Sequence, residues 1–214
     1  MEMTKDVIRR YYGWSENPSI EECAEKAYNG DASRPITGIG KMSKECKDVY
    51  KGDIFDWISL RIKTQFPALN NDDYEDNNKA FDKWHHETCQ GIISKSDVVL
   101  EYINPATLKK WGGRFSYGIA QKWLNMTMKN MLIAELEEAK LKHFERQLHV
   151  PIDSMIMRCA TEFMIDIPKT VWSQWNDKIY TDFQIALRKA VVEKGYKSPI
   201  DWEFGAWATE RDKL

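Results

Sequence analysis

GGRFSYGIAQKWLNMTMKNML (residues 112–132), followed after a charged segment by LHVPIDSMIM (residues 148–157), decides how this chain is read. Ala120, Trp123, Leu124, Thr127, Met128 and Met131 recur three and four residues apart, the spacing of one helix face. Lys122, Asn125 and Lys129 fall on a different stripe of the same helix. Gly112 and Gly113 break the chain before it, so a long helix is predicted from about Tyr117 towards Gln147. Val150 and Pro151 interrupt that helix, and Asp153 is well placed to cap the next one. Lys122 lies in the first turns and Asp153 at a helix start. The two can meet, although far apart in sequence, if the long helix folds back or breaks.

Outward from this stretch the pattern stays helical, with little alternation of period two. Ser19 followed by Glu22 is a capping-box pattern that opens a helix over 19–29. Asp53 opens another, ending before Pro67. Residues 67–78 are polar and turn-rich and read as a loop, the natural join between two lobes. A helix from Ala80 to Gln90 follows. Asn104 and Pro105 have the form of an N-cap and first helical residue for a short helix to Trp111. Thr170 to Lys194 reads as a long helix stopped at Gly195. The tail packs back through Trp202, Phe204 and Trp207. The expected fold is all-α: one helical domain over residues 1–214, two-lobed, with a central cleft.

The 214 residues suffice to bury a core, and 43% hydrophobic with 30% charged residues is an ordinary globular composition. No apolar leader or membrane-length apolar run is visible, so the expectation is a soluble, cytoplasmic protein with no membrane partner. Cys23, Cys46, Cys89 and Cys159 form no CxxC pair, which argues against structural zinc. The net charge of −2 excludes a generally basic nucleic-acid coat but leaves room for a local basic patch. Lys109, Lys110, Arg114, Lys122 and Lys129 cluster around the glycine turn, as a phosphate-binding face or as an ordinary solvated one.

A lysine on a helix and an aspartate after Pro-Ile are by themselves most simply a solvated charge and an N-cap. Resemblance adds a chemical reading. GIAQK (118–122) and HVPIDSMIM (149–157) resemble two segments of the helix-hairpin-helix DNA glycosylases of 8-oxoguanine type. There a glycine-bearing hairpin leads into a helix carrying a catalytic lysine, and an apolar-Pro-apolar-Asp segment supplies the catalytic aspartate. The resemblance implies Lys122 and Asp153 as the catalytic pair. It implies DNA contacts from Lys109, Lys110, Gly112, Gly113, Arg114, Gly118 and Gln121, and Asn125, His149 and Trp175 near the base pocket.

The longer gap between lysine and aspartate is similar to the archaeal branch of the superfamily. It is also similar to the putrescinyl-thymine pyrophosphorylase-like relatives and to antiphage DNA glycosylases. The usual Gly-apolar-Gly hairpin is absent; Gly112-Gly113 and Gly118 stand in its place. There is no four-cysteine iron–sulfur loop. The implied activity is release of a modified base from DNA, as repair or as defence against phage with modified DNA such as glucosylated hydroxymethylcytosine. No cofactor or metal and a monomeric state are expected. Remodelling of a modified pyrimidine in place, or a non-catalytic helical DNA-binding module, are the alternatives.

Three further features stay open at this level. Thr37-Gly38-Ile39-Gly40-Lys41 suits a backbone turn toward a phosphate or an ordinary loop. Trp84-His85-His86-Glu87 lacks the HExxH spacing and reads as packing or surface histidines. In Trp172-Ser173-Gln174-Trp175 one Trp is expected in the core, with Trp175 or Gln174 reaching the cleft.

Overall fold

The computed structural model describes residues 18–27, 43–68, 73–103, 110–136 and 141–211. Thr37–Lys41, Asn104, Pro105 and Lys109 lie outside the described residues, as does the side chain of Lys110. Seven α-helices and one two-stranded antiparallel ribbon make up the described chain, an all-α fold with a small β appendage. In chain order these are α1 (Ile20–Ala27), α2 (Lys44–Gln65), α3 (Tyr74–Lys95), β1 (Val98–Ile103), β2 (Lys110–Gly113), α4 (Tyr117–Ala134), α5 (Ser154–Cys159), α6 (Asp177–Glu193) and α7 (Pro199–Arg211). Short 3-10 turns occupy Leu141–Phe144, Ala160–Phe163 and Trp172–Gln174. None of the helices is long and apolar enough to cross a membrane, among the described residues.

The organising element is α4. Of its eighteen residues only Lys122, Met126 and Ala134 are not buried. A helix buried on nearly all sides is a core helix rather than an amphipathic surface one. Helices α1, α3 and α6 pack against it, Phe55 of α2 meets the Trp123 ring edge-on at 5.4 Å, and the buried apolar side chains from α1 to α7 form one continuous cluster. Asn125 and Lys129, expected on a different stripe from the core-facing one, are therefore inside. Lys129 Nζ pairs with Glu203 Oε1 at 2.6 Å, both side chains at most 5% exposed. Lys129 thus belongs to the core and not to the basic surface around the glycine turn.

Several boundaries move from their expected places, each for a local reason. Helix α2 runs through Asp53 because Tyr50, Ile54, Ile58 and Ile62 continue one buried stripe at spacing four across it. The loop after Pro67 is shorter than expected. Asp73 Oδ1 accepts from the backbone N–H groups of Glu75 and Asp76 and starts α3 at Tyr74, with two acids in the first turn.

The short helix expected to end at Trp111 is replaced there by strand. Lys110–Gly113 pairs with the β-branched run at Val98, with Val98 opposite Gly113 and Leu100 opposite Trp111. Gly113 has φ 149°, a conformation that favours glycine. The glycine pair is thus part of a ribbon, after which Ser96 Oγ accepts from Phe115 N at 2.8 Å and fixes the approach to α4.

Helix α4 ends at Ala134 and does not continue towards Gln147. Glu135 turns left-handed at φ 57°, and its N–H bonds back to Met131 and Leu132 carbonyls. A straight helix over the whole expected span would be about 46 Å long. The break lets Leu141, Phe144 and Leu148 return to the core. The chain then runs through Val150 and Ile152, both fully buried, to Asp153. Likewise Thr170–Lys194 is not one helix. Asn176 caps α6 through Ile179 N, and the preceding residues form the 3-10 turn at Trp172–Gln174. Gly195 ends α6 at φ 87°, as expected from sequence.

Candidate active site

Asp153 has extended backbone at the N-cap of α5, and its Oδ1 accepts from Met155 N and Ile156 N, both at 2.9 Å. The other oxygen, Oδ2, faces Lys122 Nζ at 3.3 Å. Capping and pairing thus use different oxygens of one carboxylate. The Lys122 side chain is 13% exposed and that of Asp153 30%, so the pair sits at the mouth of the core. Lys122 Nζ also lies 4.7 Å from the centre of the Trp172 ring, within cation–π range.

These groups open into a cavity of about 730 Å³ whose walls include Arg114, Lys122, Asp153, Arg158, Trp172 and Gln174. That size suits a small-molecule or single-nucleotide pocket. Arg114 and Arg158 are exposed. Three cationic side chains against one carboxylate give the cavity a positive balance in a chain of net charge −2.

Gly118 is what lets the Trp172 wall approach α4. A Cβ on Gly118 would stand 2.0 Å from the Trp172 carbonyl oxygen. Gly118 N donates to Trp175 O at 3.1 Å, and Ser116, the N-cap of α4, donates its hydroxyl to Ser173 O. Gly118 is therefore a close-packing position between α4 and the Trp172 segment, buried away from any DNA surface.

The remaining expected site residues divide. Arg114 lines the cavity. Gln121 is fully buried and bonded to backbone, so it cannot touch DNA directly. Asn125 and His149 are also buried and absent from the cavity wall. Trp175 is in the core, its Nε1 donating to Thr170 O and its ring against Phe183. The Trp172–Gln174 turn gives the cavity to Trp172 and Gln174 instead.

Arg158 was not anticipated. Ser154 and Arg158 are four apart on α5 and both reach the cavity, so the Asp153 cap together with helical spacing is the signal that could have found it.

Behind the pair lies a largely buried polar network. Asn125 Oδ1 meets His85 Nε2 at 2.9 Å, and Asn125 Nδ2 donates to Tyr180 Oη at 2.8 Å. Tyr180 Oη meets His149 Nδ1 at 2.8 Å, and His149 Nε2 meets Asp82 Oδ1 at 2.8 Å. Arg188 Nη2 donates to the same oxygen at 2.7 Å. Burial pushes both histidines below their usual range, for His149 against the pull of Asp82. Burial works against the Asp82 carboxylate, but His149 and Arg188 outweigh it and hold Asp82 well below the carboxylate range. His85, expected as a packing or surface residue, is buried and stacks on Tyr180 at 5.3 Å between ring centres. No group of three or more His, Cys, Asp or Glu stands where it could hold a metal, among the described residues.

Comparison with known proteins finds no matching family model, no matching curated protein and no matching solved structure.

Proposed function

We propose that this chain is a DNA glycosylase that releases a modified base by breaking its N-glycosidic bond. The observation that carries the reading is the Lys122–Asp153 pair, 3.3 Å apart at the wall of an open, cationic, Trp-walled cavity. Cleavage breaks the bond from C1′ of the sugar to the base, and the base leaves with the electron pair. Positive charge develops on the sugar, and the Asp153 carboxylate stabilises it. Water then adds to C1′, its proton taken up by the carboxylate or by solvent. Alternatively the neutral Lys122 amine adds at C1′ and gives up a proton; breaking of the C1′–O4′ bond, with the proton going to O4′, then leaves a Schiff base and a route to strand cleavage.

The target base leaves the stack to reach the cavity, where the Trp172 face is suited to hold it. Arg114 and Arg158 meet flanking phosphates, and phosphate contacts by Lys109 and Lys110 belong to the same reading. The cavity is then the floor of the cleft between two lobes that the glycosylase resemblance implies. DNA carrying a modified base is the partner, and the protein acts as a cytoplasmic monomer. Defence against phage with modified DNA is the sharper form of this reading.

The test is a product screen. Wild type and Asp153→Asn are incubated with several naturally modified phage DNAs and with unmodified DNA, and small products are identified by mass spectrometry. Free base from wild type and none from the variant is the expected result. A changed base still in the strand would move the assignment to in-place remodelling. DNA binding without any product would leave a non-catalytic module.

A further inference from the structure

Gln121 and Lys122 are neighbours on α4, and Ile152 and Asp153 are neighbours on the facing segment. The two pairs make adjacent rungs. The outer rung is the ion pair at the cavity. The inner rung is buried: Gln121 Nε2 donates to Ile152 O at 3.3 Å, and Gln121 Oε1 accepts from Ile152 N at 3.4 Å. One side-chain amide thus answers both backbone groups of the residue before Asp153.

The amide is itself held in place. Nε2 also donates to Gly118 O at 2.8 Å, and Oε1 accepts from Asn125 Nδ2 at 3.0 Å. On the other side of Pro151, Gln184 from α6 repeats the pattern on Val150, donating to its carbonyl at 2.8 Å and accepting from its N–H at 3.4 Å. Asn125 Nδ2 reaches the same carbonyl at 3.1 Å. The backbone groups of residues 150 and 152 are thereby answered by side-chain amides in place of a neighbouring strand. All three amide side chains are at most 1% exposed.

We propose that Gln121 is the positioning residue of the Lys122–Asp153 pair, with Gln184 and Asn125 completing a buried amide clamp on the Val150–Ile152 segment. The effect on rate rests on the glycosylase reading; the clamp itself does not. Gln121 touches neither cavity nor DNA. It acts by fixing how far Asp153 stands from Lys122 and from a sugar in the cavity. Small displacements of this kind leave binding intact and slow the chemical step.

The test uses the full chain as wild type, Gln121→Met and Gln121→Glu, with the DNA from which wild type releases base in the product screen. In Gln121→Met the Ile152 amide has no side-chain acceptor from position 121. Exchange at Ile152 and Ile156, followed by NMR without DNA, should rise about tenfold while α6 amides keep their protection. DNA affinity should stay within about twofold, and single-turnover base release should fall about tenfold to a hundredfold.

In Gln121→Glu the protonated carboxyl offers one donor and one acceptor, as the amide does, whereas the ionised form can only accept. The rate relative to wild type should therefore recover as pH falls and drop as pH rises. A residue needed only for folding would give no such pH-dependent ratio. A folded Gln121→Met with unchanged Ile152 exchange, or with a wild-type release rate, would overturn the proposal. So would a flat ratio for Gln121→Glu, which also decides the matter if Gln121→Met does not fold. If wild type releases no base from any DNA, the glycosylase reading falls, and the exchange measurement still decides the clamp.

Discussion

Asp153→Asn is the substitution that separates chemistry from architecture at this site. Asn is about as good an N-cap as Asp, so the bonds to Met155 and Ile156 amides survive through the retained oxygen. What is lost is the charge facing Lys122. With the carboxylate 30% exposed, the lost ion pair contributes at most about 1 kcal/mol to stability. For a domain of this size that lowers the melting temperature by no more than about 4 °C.

The transition state loses more. Preorganised charge opposite a developing charge is typically worth about 3–4 kcal/mol, which at about 1.4 kcal/mol per decade slows base release by two to three orders of magnitude. On the glycosylase reading DNA affinity should hold or rise, because one negative charge leaves a site that would face phosphates. Melting temperature, affinity by anisotropy and single-turnover release are measured on the same preparation. A folded Asp153→Asn protein that releases base at near wild-type rate would refute the reasoning and leave Asp153 a cap alone.

Lys122→Gln should keep the fold and strongly slow release. If Lys122 is the nucleophile, borohydride traps wild type on substrate DNA and fails to trap the variant, so trapping that persists in the variant rules this lysine out. Replacing Arg114 and Arg158 together with Gln should weaken binding to all DNA sequences alike and lower the salt slope by roughly two units; an unchanged slope places the DNA elsewhere. Gly118→Ala sets a methyl against the Trp172 carbonyl and should cost about 1–3 kcal/mol of stability; an unchanged melting temperature would show that the Trp172 segment can yield. In acid, His85 and His149 hold fewer protons folded than unfolded, and so does Asp82. Stability should therefore fall as pH drops below about 6.5 and fall further through the carboxylate range. In Asp82→Asn the second part of that slope should shrink, and equal acid slopes in urea titrations would count against the Asp82 pairing.

The features legible in the sequence were those set by local chemistry. The Asp153 cap, the Ser19 cap and the stop at Gly195 each depend on a few neighbouring residues. What stayed hidden depended on distant partners. Asn125, Lys129 and Gln121 are polar on a helix, and their polarity suits a base pocket, a basic face or a DNA contact. Polarity does not tell whether a partner waits inside. Here Glu203, Tyr180 and the Ile152 backbone do. Trp172 and Trp175 are three apart and would share a face of a continuous helix. The turn ahead of Asn176 separates them, sending one to the cavity and one to the core. The ribbon was hidden because its partner strand at Val98 lies in a run whose apolar pattern suits either helix or strand.

The meeting of Lys122 and Asp153 joins both kinds of information. Each residue was identifiable from its own segment, yet the contact depends on the break at Glu135, which nothing in the local sequence announces. Once the chain turns there, the returning segment must satisfy its backbone inside the core, and Pro151 leaves no donor of its own. Side-chain amides from α4 and α6 solve this without a sheet, and they leave the next residue, Asp153, at the core boundary with one oxygen free of the cap. On the glycosylase reading, the same geometry that satisfies a buried backbone therefore aims a carboxylate at the cavity. That is why polar residues absent from the cavity wall should govern its chemistry.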